Sequence, residues 1–186
     1  MAGTPVDSAQ DVVVFLKAQH EQIKALFTQV LAASGDAREK SFVQLRRLLA
    51  VHETAEEQVV HPRARSEIDN GATIVEARLR EEHEAKEALT ELEKLPVDSA
   101  EFESKLRSLQ SDVLKHAAAE EQQEFARLEA ELDDEQLHGM RNAVKMAEAM
   151  APTRPHAGVE SATANTLVGP FASMLDRARD AIRGKG

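Results

Sequence analysis

Apolar residues recur at spacings of three and four along most of this chain, the period of helices with one buried face. Helix 1 is predicted over about Gln10 to Ala33, on the stripe Val13, Leu16, Ile23, Phe27 and Val30. Ser8 or Asp7 is its expected cap, and Ser34-Gly35-Asp36 its break. Helix 2 runs from about Ala37 to His61 on Phe42, Leu45, Leu49 and Val59, and Pro62 should end or kink it. The turn signal Asp69-Asn70-Gly71 precedes helix 3, about Ala72 to Leu95, which Pro96 closes. Asp98 with Glu101 reads as a capping box for helix 4, which carries Phe102, Leu106, Leu109 and Val113 and reaches about Leu132.

Asp133-Asp134 opens a shorter helix, about Glu135 to Met150. A linker from Ala151 to Gly158 leads to a last amphipathic helix, about Leu167 to Arg183, which is expected to pack on its own bundle. Self-association through that helix is the alternative. The fold class is all-α: an antiparallel up-down four-helix bundle over 8–132, with a helical extension, linker and C-terminal amphipathic helix over 133–186.

Polar residues interrupt these stripes in a repeated way. His20, His52, His83 and His116 stand about 30 residues apart, and three have a glutamate four places on: Glu56, Glu87 and Glu120. Positions i and i+4 share a helix face. One buried histidine is usually a satisfied core group, because an uncompensated charge in a core is costly. His20, His52-Glu56 and His116-Glu120 would need five separate rescues, whereas two metal ions satisfy all five together.

Helical phase, at about 100° per residue, selects among the glutamates. With His116 at zero, Glu120 falls near 40°, at the stripe's centre, and Glu121 near 140°. Glu56 is favoured over Glu57 in the same way, and Glu53, at about 100° from His52, is intermediate. On helix 3 His83 stands at the stripe's edge, within inward reach, and Glu87 lies further out. The expected metal ligands are thus His20, His52, Glu56, His83, His116 and Glu120, with Glu53, Glu87 and Glu121 as further candidates. No catalytic residue apart from these ligands is expected. His61, about 180° from His52, reads as a helix-end residue, His138 and His156 as surface residues, and Glu81-Glu82 as a solvated face. Imidazole with carboxylate suits iron, zinc or manganese alike.

Composition narrows the rest. Asp+Glu number 33 against 23 Lys+Arg, a formal charge of −10, so no basic face for nucleic acid is expected. The absence of cysteine rules out disulfides and thiol chemistry. The first ten residues carry no apolar stretch of the signal-peptide kind, and no apolar run approaches the ~20 residues of a spanning helix, so a cytoplasmic protein without membrane contact is expected.

The residues that carry the chemistry resemble the hemerythrin-like, or HHE cation-binding, family over about Asp11 to Leu132. The resemblance rests on the lone His20, His52-x-x-x-Glu56, the Glu82-His83 pair, and His116-x-x-x-Glu120-Glu121. It implies a four-helix bundle holding two oxo- or hydroxo-bridged irons, with O2, peroxide or nitric oxide as small ligands. Glu56 and the helix 4 carboxylate would bridge, and the four histidines would be terminal ligands. The oxygen-carrying members have a second helix 3 histidine where this chain has Glu87. They also take a carboxylate five residues after the helix 4 histidine, here Glu121. Both departures point away from reversible O2 carriage. Some iron-sensing relatives use the position of Glu53. The ferritin-like oxidases are disfavoured, because their Glu-x-x-His occurs here only at Glu135-His138. The expected function is decomposition of peroxide or nitric oxide. The alternative is binding, storage or sensing of O2, NO or iron without turnover.

Overall fold

A computed structural model describes residues 11–153, so the amphipathic helix expected at 167–183 lies outside the described residues. The described residues are all-helical. The helices are α1 (Val12–Ala32), α2 (Gly35–Ala55), α3 (His61–Glu67), α4 (Gly71–Leu92), α5 (Ala100–Glu120), α6 (Ala126–Glu131) and α7 (Asp134–Met150). A π-turn, Glu56–Val60, joins α2 to α3, and a second, Glu121–Phe125, joins α5 to α6. Four rods result: α1, α2–α3, α4 and α5–α6, running up and down as a bundle.

Local chemistry sets the ends, at places that differ somewhat from the expected ones. Asp11 caps α1, its carboxylate accepting from the Val14 N–H at 2.8 Å. Ser99 rather than Asp98 caps α5, accepting from the Phe102 N–H. Asp98 instead receives the N–H of Gly35, tying the α1–α2 turn to the α4–α5 turn. A Cβ at Gly71 would stand 2.2 Å from the Ala64 carbonyl oxygen, so the close start of α4 against α3 requires glycine.

Pro62 does not end the second rod. A proline ring clashes with the carbonyl four residues back and removes one N–H from the ladder. Here the π-turn immediately before it has already opened that ladder, and the helix continues to Glu67.

The core falls into two parts. One joins Ile23, Phe27, Phe42, Leu45, Leu89, Phe102 and Leu106 near the α1–α2 turn. The other joins Val12, Leu16, Ala55, Phe125 and Leu128 with Leu137, Met140, Val144 and Ala147 of α7. Helix α7 therefore shares the bundle's core. Between the two parts lies a layer of buried polar side chains. No helix of the described residues is long and apolar enough to cross a membrane.

Candidate metal centre

In that layer His20 comes from α1, His52 from α2, Glu56 from the first π-turn, Glu82 from α4, and His116 and Glu120 from α5. Ligand atoms of His20, His52, Glu56 and Glu120 all lie within 4.8 Å of one another. A second group within the same span is Glu56, Glu82, His116 and Glu120. These two groups share Glu56 and Glu120, so two carboxylates stand between two clusters of donors; a third group, His61 with Glu120 and Glu124, adjoins them. Glu56 and Glu120 are fully buried, at 0% exposure.

The histidines are oriented from outside. His20 Nδ1 donates to Glu121 at 2.8 Å, and His116 Nδ1 donates to Glu81 at 2.8 Å. His52 Nδ1 meets the amide oxygen of Gln19 at 2.8 Å. With each outer nitrogen carrying its hydrogen, each Nε2 turns a lone pair inward. These Nε2 atoms face carboxylate oxygens: His20 and His116 face Glu120 at 3.4 Å, and His52 faces Glu56 at 3.2 Å. The Nε2 atoms of His20 and His116, and both oxygens of Glu56 and of Glu120, are buried without a hydrogen bond. Acceptors that converge on acceptors in a dry layer need a cation between them, and the donor set fits a pair of metal ions.

In the metal-free chain protons supply part of that positive charge. Burial opposes a charge on His20 and on His116, but Glu120 outweighs it and raises both above the ordinary histidine value. Burial, with the charge of His20, pushes His52 down to about 3, so its ring is neutral and its Nε2 bare. Burial and then the charge of Glu120 raise Glu56 well above the usual carboxylate range. Burial would also raise Glu120, yet His116 and His20 hold it well below that range. Lys86 is buried in an ion pair with Glu57 and also acts on Glu53 and Glu82. Glu53, Glu56, Glu57, Glu82, Glu120 and Glu124 are all buried here. Six carboxylates buried so close together favour either protons, as on Glu53 and Glu57, or metal cations.

The α4 rod differs from expectation. His83 is half-buried and pairs with Glu87 at 3.4 Å, their side chains 41% and 63% exposed. Neither joins either donor group; Glu82, at 1% exposure, does. The buried residues of α4 are Gly71, Val75, Arg78, Glu82, Lys86, Leu89 and Leu92. With Glu82 at zero phase all of them fall within about 80°, and His83 lies about 100° away. The apolar residues alone marked that face poorly, because Arg78, Glu82 and Lys86 occupy its middle.

His61 and Glu124 are the other residues the sequence reading left outside. His61 is 2% exposed, with Nε2 2.6 Å from Glu82 and Nδ1 2.9 Å from Glu124. Burial opposes its charge, and Glu82 and Glu124 outweigh that and raise it well above the ordinary value. The resulting imidazolium orients Glu82 so that Oε2 stays without a partner. Glu121 anchors His20 from outside the donor groups. Glu53 lines a small cavity with His20, His52 and His116, and also a 590 Å³ groove beside α4 and α5 that reaches Glu82 and His116.

The family model described as the hemerythrin HHE cation binding domain matches residues 11–128. The chain belongs to the hemerythrin HHE cation-binding family. A crystal structure of an HHE cation-binding domain-containing protein from Mycobacterium kansasii superposes with a TM-score of 0.66, covering 75% of this chain and 85% of that one at 19% identity. It supports the HHE fold alone. An uncharacterized hemerythrin-like protein of Schizosaccharomyces pombe is 28% identical over 134 residues, which cover 71% of this chain and 66% of that protein. A Nostoc protein named a DNA nickase is 28% identical over 146 residues, 78% of this chain and 40% of its own length. The chain thus spans less than two thirds of these curated relatives. The Nostoc name attaches a nucleic acid to a relative, so net charge alone does not exclude nucleic acid as a partner of this chain.

Proposed function

We propose that this HHE domain holds two iron ions bridged by Glu56 and Glu120, and that the centre decomposes peroxide or nitric oxide. The observation that carries the reading is the inward turn of three anchored imidazoles onto two shared, fully buried carboxylates. His20 and His52 would serve one ion, and His116 with Glu82 the other. The ion pair, once bound, supplies electron transfer and an open coordination position. The chain's own residues do the rest. Glu56 and Glu120 keep the two positions together, and Glu121, Gln19 and Glu81 hold the ring tautomers. The groove beside α4 and α5 admits small molecules, and the two core regions exclude water from the layer.

Peroxide decomposition needs no outside electron donor. One peroxide takes up two electrons and two protons to give two waters, and a second releases two of each to give dioxygen. Reduction of two nitric oxides to nitrous oxide and water draws two electrons and two protons from a separate donor. Binding, storage or sensing of O2, NO or iron without turnover is the competing reading. It is separated by reducing the iron-loaded protein anaerobically and following its visible spectrum after adding O2, peroxide or NO. Sustained consumption of peroxide or NO is expected; a stable, reversible oxygenated species without consumption would overturn the enzymatic reading.

DNA nicking is not proposed for this chain. The groove presents Glu81, Glu84, Glu91 and Asp112, and its Lys105 and Lys115 are already paired with Glu91 and Asp112. Such a surface repels phosphate. Nicking of supercoiled plasmid above a metal-only control would reverse that judgement.

A further inference from the structure

Helix α7 lies beyond the family match, yet one of its side chains reaches the metal layer through two hydrogen bonds. Gln19 Nε2 donates to Glu148 Oε1 at 2.6 Å, and Gln19 Oε1 lies 2.8 Å from His52 Nδ1. A carboxylate only accepts. Glu148 therefore fixes the Gln19 amide with its NH2 outward and its oxygen toward His52. That oxygen can only accept, so Nδ1 carries the hydrogen and Nε2 presents its lone pair to the metal layer.

The other two histidines have no such dependence. His20 and His116 are anchored directly by the carboxylates of Glu121 and Glu81. Only His52 is held by a neutral amide, and an amide can turn over. Turned over, Gln19 would offer an N–H to Nδ1, forcing the hydrogen onto Nε2 and removing one metal ligand. Gln19 itself is 8% exposed, so water is a poor substitute partner.

We infer that Glu148 is a positioning residue of the metal centre, fixing the Gln19 amide and through it the Nε2-donating tautomer of His52. The inference rests on the dimetal reading for its consequence, but the tautomer is a property of the metal-free chain. Its test is the ring nitrogen chemical shifts of His52, read by long-range proton–nitrogen NMR on the full chain without metal at neutral pH. The unmodified chain is expected to show the Nδ1–H form alone. Glu148→Gln keeps size and hydrogen bonding but lets either amide orientation bind, so a mixture of tautomers is expected.

Anaerobic titration of Fe2+ against a chelator then reads the consequence. Glu148→Gln should weaken uptake of one ion by about tenfold, the low end for residues that orient ligands. In a Gln19→Leu background Glu148→Gln should cause no further loss. An unchanged Nδ1–H form in Glu148→Gln, or an equal extra loss in the Gln19→Leu background, would overturn the inference. An unmodified chain that takes up no iron would overturn the dimetal reading and leave the tautomer result standing.

Discussion

At the scale of single residues the centre is decided by which neighbour of a pair faces inward. Glu82 and His83 are adjacent on α4, and the bundle buries the carboxylate and leaves the imidazole half-exposed with Glu87. Glu82→Ala should therefore cost at least tenfold in affinity for one metal ion, on the order of the effect of losing a ligand or its orienting partner. His83→Ala should leave metal content unchanged and shift stability by less than about 0.5 kcal/mol. Metal analysis and urea titration of the two variants check this; retention in the first with loss in the second would reverse the assignment. His20, His52 and His116 were legible in the sequence because each interrupts a clean apolar stripe. Glu82 was not, since Arg78 and Lys86 flank it on the buried face and make that face read as solvated. The charges there are paired within the layer: Lys86 with Glu57, and Arg78 with Glu81.

At the scale of elements the two π-turns account for the remaining misreadings. Counted as uninterrupted α-helix, His61 falls about 180° from His52 and Glu124 about 80° from His116. A π-turn absorbs one extra residue, which brings His61 back to about 80° and Glu124 to about −20°. The same correction returns Val60, Ala64 and Ile68 to the stripe of Phe42, Leu45 and Leu49, and Phe125, Leu128 and Leu132 to that of Phe102 and Leu106. Both rods carry their π-turn at the level of the metal layer, where His52-Glu56 and His116-Glu120 end. Helix number, the four-rod order and the turns at Asn70-Gly71 and Pro96 follow from local signals. A π-turn has no such signal beyond the drift of the stripe itself.

A deletion tests this directly. Removing the exposed Gln122 takes out the extra residue and leaves Phe125, Leu128 and Leu132 in phase, so the variant should fold with a loss below about 2 kcal/mol. Removing the exposed Ser111, inside α5, rotates the two halves of the rod by about 100° against each other and should abolish cooperative unfolding. Thermal melts followed by circular dichroism distinguish the two. Equal damage from both deletions would refute the phase account.

At the scale of the whole molecule the polar layer makes stability depend on pH and metal together. Burial raises Glu53 and Glu57 to about 8 in the metal-free chain. A raised carboxylate contributes stability that is full below its unfolded value of about 4.5 and is lost as pH climbs through 8. His20, His61 and His116, also raised, act in the same sense, contributing below about 6.5 and losing that as pH rises through their folded values. His52, lowered to about 3, acts oppositely: its contribution is complete above about 6.5 and is lost as pH falls through 3. Glu82 and Glu120, both lowered, likewise contribute above about 4.5. Between pH 6.5 and 8 only the raised groups are still changing, so the metal-free protein should lose stability across that window. The iron-loaded protein should lose less, because metal binding holds His20, Glu56 and His116 deprotonated and strengthens as protons leave. Urea unfolding at pH 6.5 and 8, with and without iron, gives both slopes; a metal-free protein that gained stability over this range would contradict the charge assignment.

The central claim is that Glu56 and Glu120 join two metal ions in one buried layer. The most direct measurement is iron per chain after anaerobic reconstitution and desalting, in the unmodified protein and in Glu56→Ala and Glu120→Ala. Two irons per chain in the unmodified protein, with the pair lost in each variant, is the predicted result. One iron or fewer in the unmodified protein, or two retained in both variants, would contradict it.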